Sequence, residues 1–280
     1  MSGNDAVRVL EVAEGAELTL KDLTIADGAV LGRDRVSGGG IHSEGTLTLT
    51  NSTIEDNGSA AAMTSSAVAS PTMAPLRLRT PSSPATLQAI NGSYSRGAGI
   101  WNAGPLTVKD SVISGNHADY AGGDIALWAG TLTMSNTIVT NSPSGGNCSG
   151  DPITDGGYNI EDGASCGFSQ ATGSLSNTDP LLDPDGLSDN GGPTKTIALQ
   201  PESPAVDLVG EEACPPPKAD QRGVRRPQGE ACDSGAYELE QKPPQPQTKA
   251  DCKKGGYKEF GFKNKGQCIA SLQKAAEESR

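Results

Sequence analysis

Aromatic side chains are scarce: 2 Trp, 5 Tyr and 3 Phe in 280 residues. So few rings exclude a thick core built on aromatics and leave burial to the aliphatic residues. Positive charge is also short, with 22 Lys and Arg against 34 Asp and Glu and a net charge of −12. That balance argues against a groove for nucleic-acid phosphates or an anionic membrane surface. No apolar run approaches the roughly eighteen residues that a membrane helix needs. There is no CxxC pair and histidine occurs only twice, so the spacing of a structural zinc site is missing. Glycine (36) and proline (19) are plentiful, yet glycine does not recur at every third position as collagen requires. Such a composition suits many short strands joined by tight turns.

Charge is unevenly distributed. Residues 1–240 carry 13 Lys and Arg against 30 Asp and Glu, and residues 241–280 carry 9 against 4. The sign changes at the proline-rich stretch Lys242-Pro243-Pro244-Gln245-Pro246, which reads as a semi-rigid linker over 241–248. A small basic tail, 249–280, is therefore expected to hang on an acidic body.

Self-similarity decides the expected architecture. Four segments align without gaps: 17–28 (ELTLKDLTIADG), 46–57 (TLTLTNSTIEDN), 105–116 (PLTVKDSVISGN) and 131–142 (TLTMSNTIVTNS). One apolar column is Leu18, Leu47, Leu106 and Leu132; a second is Leu20, Leu49, Val108 and Met134; a third is Ile25, Ile54, Ile113 and Val139. Thr19, Thr48, Thr107 and Thr133 alternate with the first two, as the period of two in a strand requires. A glycine-rich cue ending in isoleucine precedes three of the segments, at Ile41, Ile100 and Ile125. The steps between segments are 29, 59 and 26 residues, and the long one is two repeats. A period of this length, built from strands, fits coils of three short strands that stack about 4.8 Å apart and bury their inward ladders on one another. The polar column Asp22, Asn51, Asp110 and Asn136 falls at a turn and reads as a structural Asx ladder.

The missing repeat falls between residues 59 and 90, a window with no acidic residue. As written it reads as a disordered insertion. Shifted in frame, its codons permit G-T-L-T-V-T-D-S-V-I-S-G-N, which follows Gly104–Asn116 position for position. Two compensating frameshifts, near residues 58 and 92, are therefore expected to have scrambled one coil. Resequencing the locus tests this hypothesis, since a clean read of the present frame, with no relatives carrying the shifted text, would defeat it.

These repeats resemble the right-handed parallel β-helix proteins of bacterial surfaces, with glycine-isoleucine and asparagine cues like those of polymorphic outer-membrane proteins. From about 145 to 238 the order of Asn177-Thr-Asp-Pro-Leu-Leu182, Asp189-Asn-Gly-Gly-Pro-Thr194, Ser203-Pro-Ala-Val-Asp207, Asp220-Gln-Arg-Gly223 and Cys232-Asp-Ser-Gly-Ala-Tyr-Glu238 resembles the "choice-of-anchor Q" region that closes many such proteins. The fold class expected is all-β: parallel β-helix coils over 1–142, the last coil and anchor-like region over 143–240, then linker and tail. The tail, Cys252 to Ile269, resembles a short module of exported bacterial proteins and reads as a stapled hairpin. The resemblance implies a secreted or cell-surface location and names no reaction.

Six cysteines fall into sequence-local pairs, Cys148 with Cys166, Cys214 with Cys232 and Cys252 with Cys268, although six cysteines allow fifteen pairings. An even count favours disulfides and an oxidising exterior, each closing a loop for about 3 kcal/mol. Met1–Asp5 does not read as a signal peptide, and strands begin almost at once. An uncapped first coil would expose an unpaired edge, so export signal and first coils are expected upstream of Met1.

Chemistry is harder to find. The β-helix architecture also serves polysaccharide lyases and hydrolases, but fold alone does not license that step. A hydrolase needs two carboxylates at a set separation, and a lyase needs clustered acids for calcium and a base. Asp119 and Asp124 near His117 form the one loose acid-plus-histidine cluster, and both His42 and His117 read as surface turn residues. Arg222, Arg225 and Arg226 among Asp220, Asp233 and Glu238 read as a charge network rather than an anion site. No cofactor is expected; calcium at Asp207 or Asp189-Asn190-Gly191-Gly192 gives way to turn capping. The function expected is a non-catalytic adhesion or envelope protein whose partners are cell-wall or extracellular polysaccharide or other surface proteins, with no nucleic acid and no membrane span. The alternative is a polysaccharide lyase or glycoside hydrolase.

Overall fold

The computed structural model describes residues 1–32, 35–61, 94–214, 218–241, 246, 248–253, 256–258 and 260–278. They form two compact units, Met1–Leu239 and Glu240–Arg280. The first is built of short strands and turns, and its strands collect into parallel sheets that each take one strand from every successive stretch of chain. One sheet stacks Leu10–Val12, Ile41–Ser43, Ile100–Asn102, Ile125–Leu127 and Cys148–Gly150. A second stacks Glu17–Lys21, Thr46–Thr50, Pro105–Lys109, Thr131–Ser135 and Thr154–Asp155. A third stacks Thr24–Ala26, Thr53–Glu55, Val112–Ser114, Ile138–Thr140 and Ile160–Glu161. Two smaller sheets, Ala29–Gly32 with Gly58–Ala61 and His117–Ala118, and Arg35–Ser37 with Tyr94–Arg96, complete the path. The architecture is thus all-β and solenoid-like. Strand Thr46–Thr50 pairs directly with Pro105–Lys109. The suspected scrambled coil lies almost wholly in 62–93, outside the described residues.

Register explains the core. Leu18, Leu47, Leu106 and Leu132 stand opposite one another, as do Leu20, Leu49, Val108 and Met134, and Ile25, Ile54, Ile113 and Val139. From Leu47 onward these side chains are buried, and burying one such side chain contributes roughly 1.5–3 kcal/mol. The ladder needs few rings because each rung is covered by identical aliphatic rungs above and below. At the last coil the inward positions become acidic, and loop backbone satisfies them. Glu161, opposite Val139, accepts the Ser165 and Cys166 amides at 2.8 and 2.9 Å. Asp155, opposite Met134, accepts the Ser169 amide at 2.9 Å and the Thr172 hydroxyl at 2.6 Å. Burial works against ionising Asp155, but these bonds and those from Ser174 and Gly157 outweigh it and hold the carboxyl below its ordinary range.

The corners are set by residues that tolerate the left-handed region. Asp22, Asn51, Asp110 and Asn136 have φ of 55°, 48°, 52° and 51°, a conformation that Asn and Asp adopt more readily than other side chains. Their side chains join in pairs, Asn51 donating to Asp22 at 3.1 Å and Asn136 to Asp110 at 3.0 Å.

The third sheet is covered on its outer face by the loop-rich region that follows. Val112, Ile138 and Ile160 pack with Ile197, Leu199, Ala205 and Ala236 in a second apolar cluster. In the earlier coils the outward residues are polar, and Thr24 donates to the Lys195 carbonyl at 2.6 Å while Thr53 donates to Gln221 at 2.8 Å. Arg226, fully buried, holds the end of this cover: it donates to the Asp233 and Gly235 carbonyls at 2.6 Å each and to Glu238 at 3.2 Å. Arg222 bonds Asp220 at 2.8 Å and lies 3.6 Å over the Tyr237 ring.

Disulfides link Cys148 to Cys166, Cys214 to Cys232 and Cys252 to Cys268. Three such bridges fit an oxidising environment. The second unit corrects the hairpin expected for the tail: its described residues contain no strand, and Lys265–Glu278 is a helix, with one 3-10 turn at Gly256–Lys258. Asn264 accepts the Gln267 amide at 3.0 Å while Gln267 accepts the Lys263 amide at 3.2 Å. Asn264 thus caps the helix N-terminus, and Gln267 reaches back to the amide one residue before the cap. No helix among the described residues is long and apolar enough to cross a membrane.

Candidate binding face

Because side chains alternate across a strand, the first sheet turns its second column outward. That column runs Glu11, His42, Trp101, Ala126 and Ser149 in register. His42 is therefore a mid-strand residue rather than a turn residue, and its ring stacks on Trp101 with centroids 4.3 Å apart and planes within 7°. Burial first, then the nearby Arg8, lowers the His42 pKa against the opposing pull of Glu44, so the stacked ring is a neutral imidazole at neutral pH. Arg8 is committed to Glu11 at 2.6 Å and to the Ser37 and Gly38 carbonyls.

Trp128 follows the strand that pairs with Trp101's own, and its amide donates to the Asn102 carbonyl at 2.8 Å. Arg96 lies 5.0 Å from the Tyr120 ring centre and 5.4 Å from that of Trp128. Tyr120 and Trp128 are about half exposed, at 48% and 54%. Both tryptophans of a chain poor in rings are thus gathered beside one sheet, with a guanidinium over two of the rings. Arg96 makes no ion pair among the described residues. Flat aromatic faces carry negative potential over the ring and an apolar surface. They can stack on the C–H face of a pyranose while a guanidinium donates to hydroxyl or carboxylate oxygens. The second sheet adds a different open surface, a column of Thr19, Thr48, Thr107, Thr133 and Thr154 in register.

Of the weak catalytic candidates, the structure joins two. His117 Nε2 lies 3.1 Å from Asp119 Oδ1, and Ser144, 3.5 Å from His117 Nδ1, gives its hydroxyl proton to the Ala118 carbonyl at 2.5 Å. Asp124 belongs elsewhere. It is fully buried and accepts from Asn116 Nδ2 at 2.7 Å, and burial pushes its carboxyl well above the ordinary range. It ends a buried ladder in which the Gly28 amide donates to Asn57, Asn57 to Asn116 at 2.9 Å, and Asn116 to Asp124. The glycine cue makes room for this ladder: a Cβ on Gly99 would stand 2.6 Å from the Asp124 carbonyl oxygen and 2.9 Å from Asn116 Cγ.

Asp189 caps its own turn, accepting the Gly191 amide at 3.2 Å, whereas Asp207 ties two loops by accepting the Ala231 amide, 24 residues on, at 2.9 Å. Among the described residues no group of three or more His, Cys, Asp or Glu is arranged to hold a metal ion. Sequence reasoning missed the aromatic face, although His42 and Trp101 follow Ile41 and Ile100 of the repeated cue directly. No protein-family model, curated protein or solved structure matches the chain.

Proposed function

We propose that the chain is a right-handed parallel β-helix of the exported bacterial surface type, similar to choice-of-anchor Q proteins. In this reading it is a non-catalytic adhesion or envelope protein that holds a polysaccharide against the face of Trp101, Trp128, Tyr120 and Arg96. The observation that carries it is the gathering of both tryptophans beside one sheet, Trp128 half-open with Tyr120 under the Arg96 guanidinium and Trp101 partly open and stacked on His42, where the other described rings are less exposed. Exposed Trp, Tyr and Arg are the residues that concentrate binding energy at contact surfaces. Right-handedness follows the strong preference for right-handed crossovers between parallel strands, and the disulfides agree with an extracellular site. The enzymatic alternative rests on Asp119, Asp124 and His117, and a carboxyl sealed inside an asparagine ladder lends it no support.

Affinity electrophoresis of the full chain through acidic and neutral polysaccharides, paired with a reducing-end assay, tests this reading. Retention without turnover is expected, and a Trp101→Ala, Trp128→Ala double variant is expected to lose at least tenfold in affinity. Turnover of any glycan, or retention unchanged in the double variant, contradicts it.

A further inference from the structure

A second site lies between the third sheet and its cover, in a cleft of about 400 Å³. That volume is within the range of small-molecule sites. Its floor is the outward column of the sheet, where Glu55 stands opposite Ser114. Its rim is the loop that carries Asp179 and Asp183, and Asp56 completes the set. Leu181, Leu182 and Pro184 of the same loop supply an apolar wall. Among the described residues four carboxyl groups line the cleft and no lysine or arginine does.

Glu55 distinguishes this cleft from an ordinary acidic patch. The residue is 7% exposed, and among the described residues its Oε2 has no hydrogen-bond partner. A buried polar atom left unpaired costs about 1–3 kcal/mol; Oε2 is sealed behind the floor while Oε1 lies on the side of Gly186, so the carboxyl keeps that cost where a ligand in the cleft meets it. Gly186, in the left-handed region at φ 64°, keeps the approach to Glu55 free of a side chain. Among the described residues no three acids converge to hold a metal ion.

We infer that this cleft binds an alkylammonium group, the end of an aliphatic polyamine or of a lysine side chain, with Glu55 as the counter-ion at its floor. The methylenes lie along Leu181, Leu182 and Pro184, and the ammonium donates to the Glu55 carboxylate while the rim acids supply negative potential around it. Burial first, then the negative charges of Asp56 and Asp27, pushes the Glu55 pKa up to about 8 against the weaker opposing pull of Lys195. Burial also raises Asp56, with Asp27 and Asp5 adding to it. At neutral pH the empty cleft therefore holds Glu55 as the acid. A bound ammonium favours the carboxylate, so the proton leaves Glu55 for solvent and the resulting charge pairs with the ligand. The site is distinct from the aromatic face, so each proposal stands or falls alone.

Calorimetric titration of the full chain with spermidine, and separately with Nα-acetyl-lysine methylamide, at pH 7 in phosphate and in Tris tests the inference. The expected result is binding of at least one of them whose heat differs between buffers, corresponding to release of up to one proton. The tighter ligand tells a free polyamine from a protein lysine. Glu55→Gln is expected to weaken binding at least tenfold and to abolish the buffer dependence. Asp183→Asn, on the rim loop, is expected to weaken it severalfold and decides the matter if the Gln variant loses its strand circular dichroism. Neither amine binding at millimolar concentration, affinity unchanged in the folded variants, or calcium alone binding with the same proton release overturns the inference.

Discussion

The second and third sheets are made by the same repeat yet meet opposite fates. The second turns Thr19, Thr48, Thr107, Thr133 and Thr154 to solvent, one polar residue on every rung. The third turns out Thr24 and Thr53, then Val112, Ile138 and Ile160. A threonine column needs no cover, because its hydroxyls remain hydrated and its methyl groups pack along the ladder. A column that turns from hydroxyl to aliphatic down the stack requires a cover that turns with it. The region 179–238 does so: Gln221 and the Lys195 carbonyl meet the threonines, and Ile197, Leu199 and Ala236 meet the aliphatics. Coil geometry alone therefore does not decide which face becomes a binding surface; the outward column does.

The largest expected effect separates the two faces directly. Ile138 is fully buried outside the repeat core, against the cover. Ile138→Ala is expected to cost about 2–5 kcal/mol, the usual range for truncating a packed aliphatic side chain. Urea unfolding checks it, and a loss below about 1 kcal/mol would mean that the cover is not firmly seated.

A smaller effect comes from acids buried at the covered face and in its cover. Glu55 is raised to about 8, with burial as the leading cause. Asp233 is raised to about 7 by burial and then by Glu238. Each native carboxyl binds protons more tightly than its unfolded counterpart, so the native state holds the extra protons between roughly pH 4 and 8. Stability is therefore fully present below the unfolded pKa values and declines as pH rises through this window, by on the order of a few kcal/mol. Unfolding midpoints at pH 5.5 and 8.5 check the sign. Glu55→Gln flattens the slope, and a protein that grows more stable with rising pH across that interval refutes the burial argument.

Legibility in the sequence follows the same division. The inward columns could be read because each position recurs four times at strand period, so register repeats the same test at every rung. The corner column was legible for the same reason, Asp22 to Asn136 being interchangeable in the left-handed region. The inner ladder was half-visible: Gly28, Asn57 and Asn116 end their aligned segments, but Asp124 joins from the glycine cue, where no period announces it. The cover was not legible as a cover, because Ile197, Leu199 and Ala205 occur once each and pair with a face only in three dimensions. Glu55 escaped for that reason. In the repeat it is one more polar residue after Ile54, and only the loop at 179–186 makes it a cleft floor.

The smallest expected effect is on the open face, and it is the sharper test of the comparison. Thr107 sits at the middle rung of the threonine column, with Thr48 and Thr133 opposite it on either side. Thr107→Val keeps the β-branched shape and strand propensity and removes only the hydroxyl. If the column is a hydrated surface, the loss is the difference between two water-exposed groups, and stability should stay within about 0.5 kcal/mol. If instead the hydroxyls form a continuous bonded ladder, breaking it at the centre should unsettle both neighbours and cost about 1 kcal/mol or more. Urea midpoints of Thr107→Val and of the end-rung change Thr19→Val separate the two. Equal and small shifts keep the open face as a surface free to meet a partner, whereas a central loss several times that at the end would make it a structural element like the asparagine ladder inside.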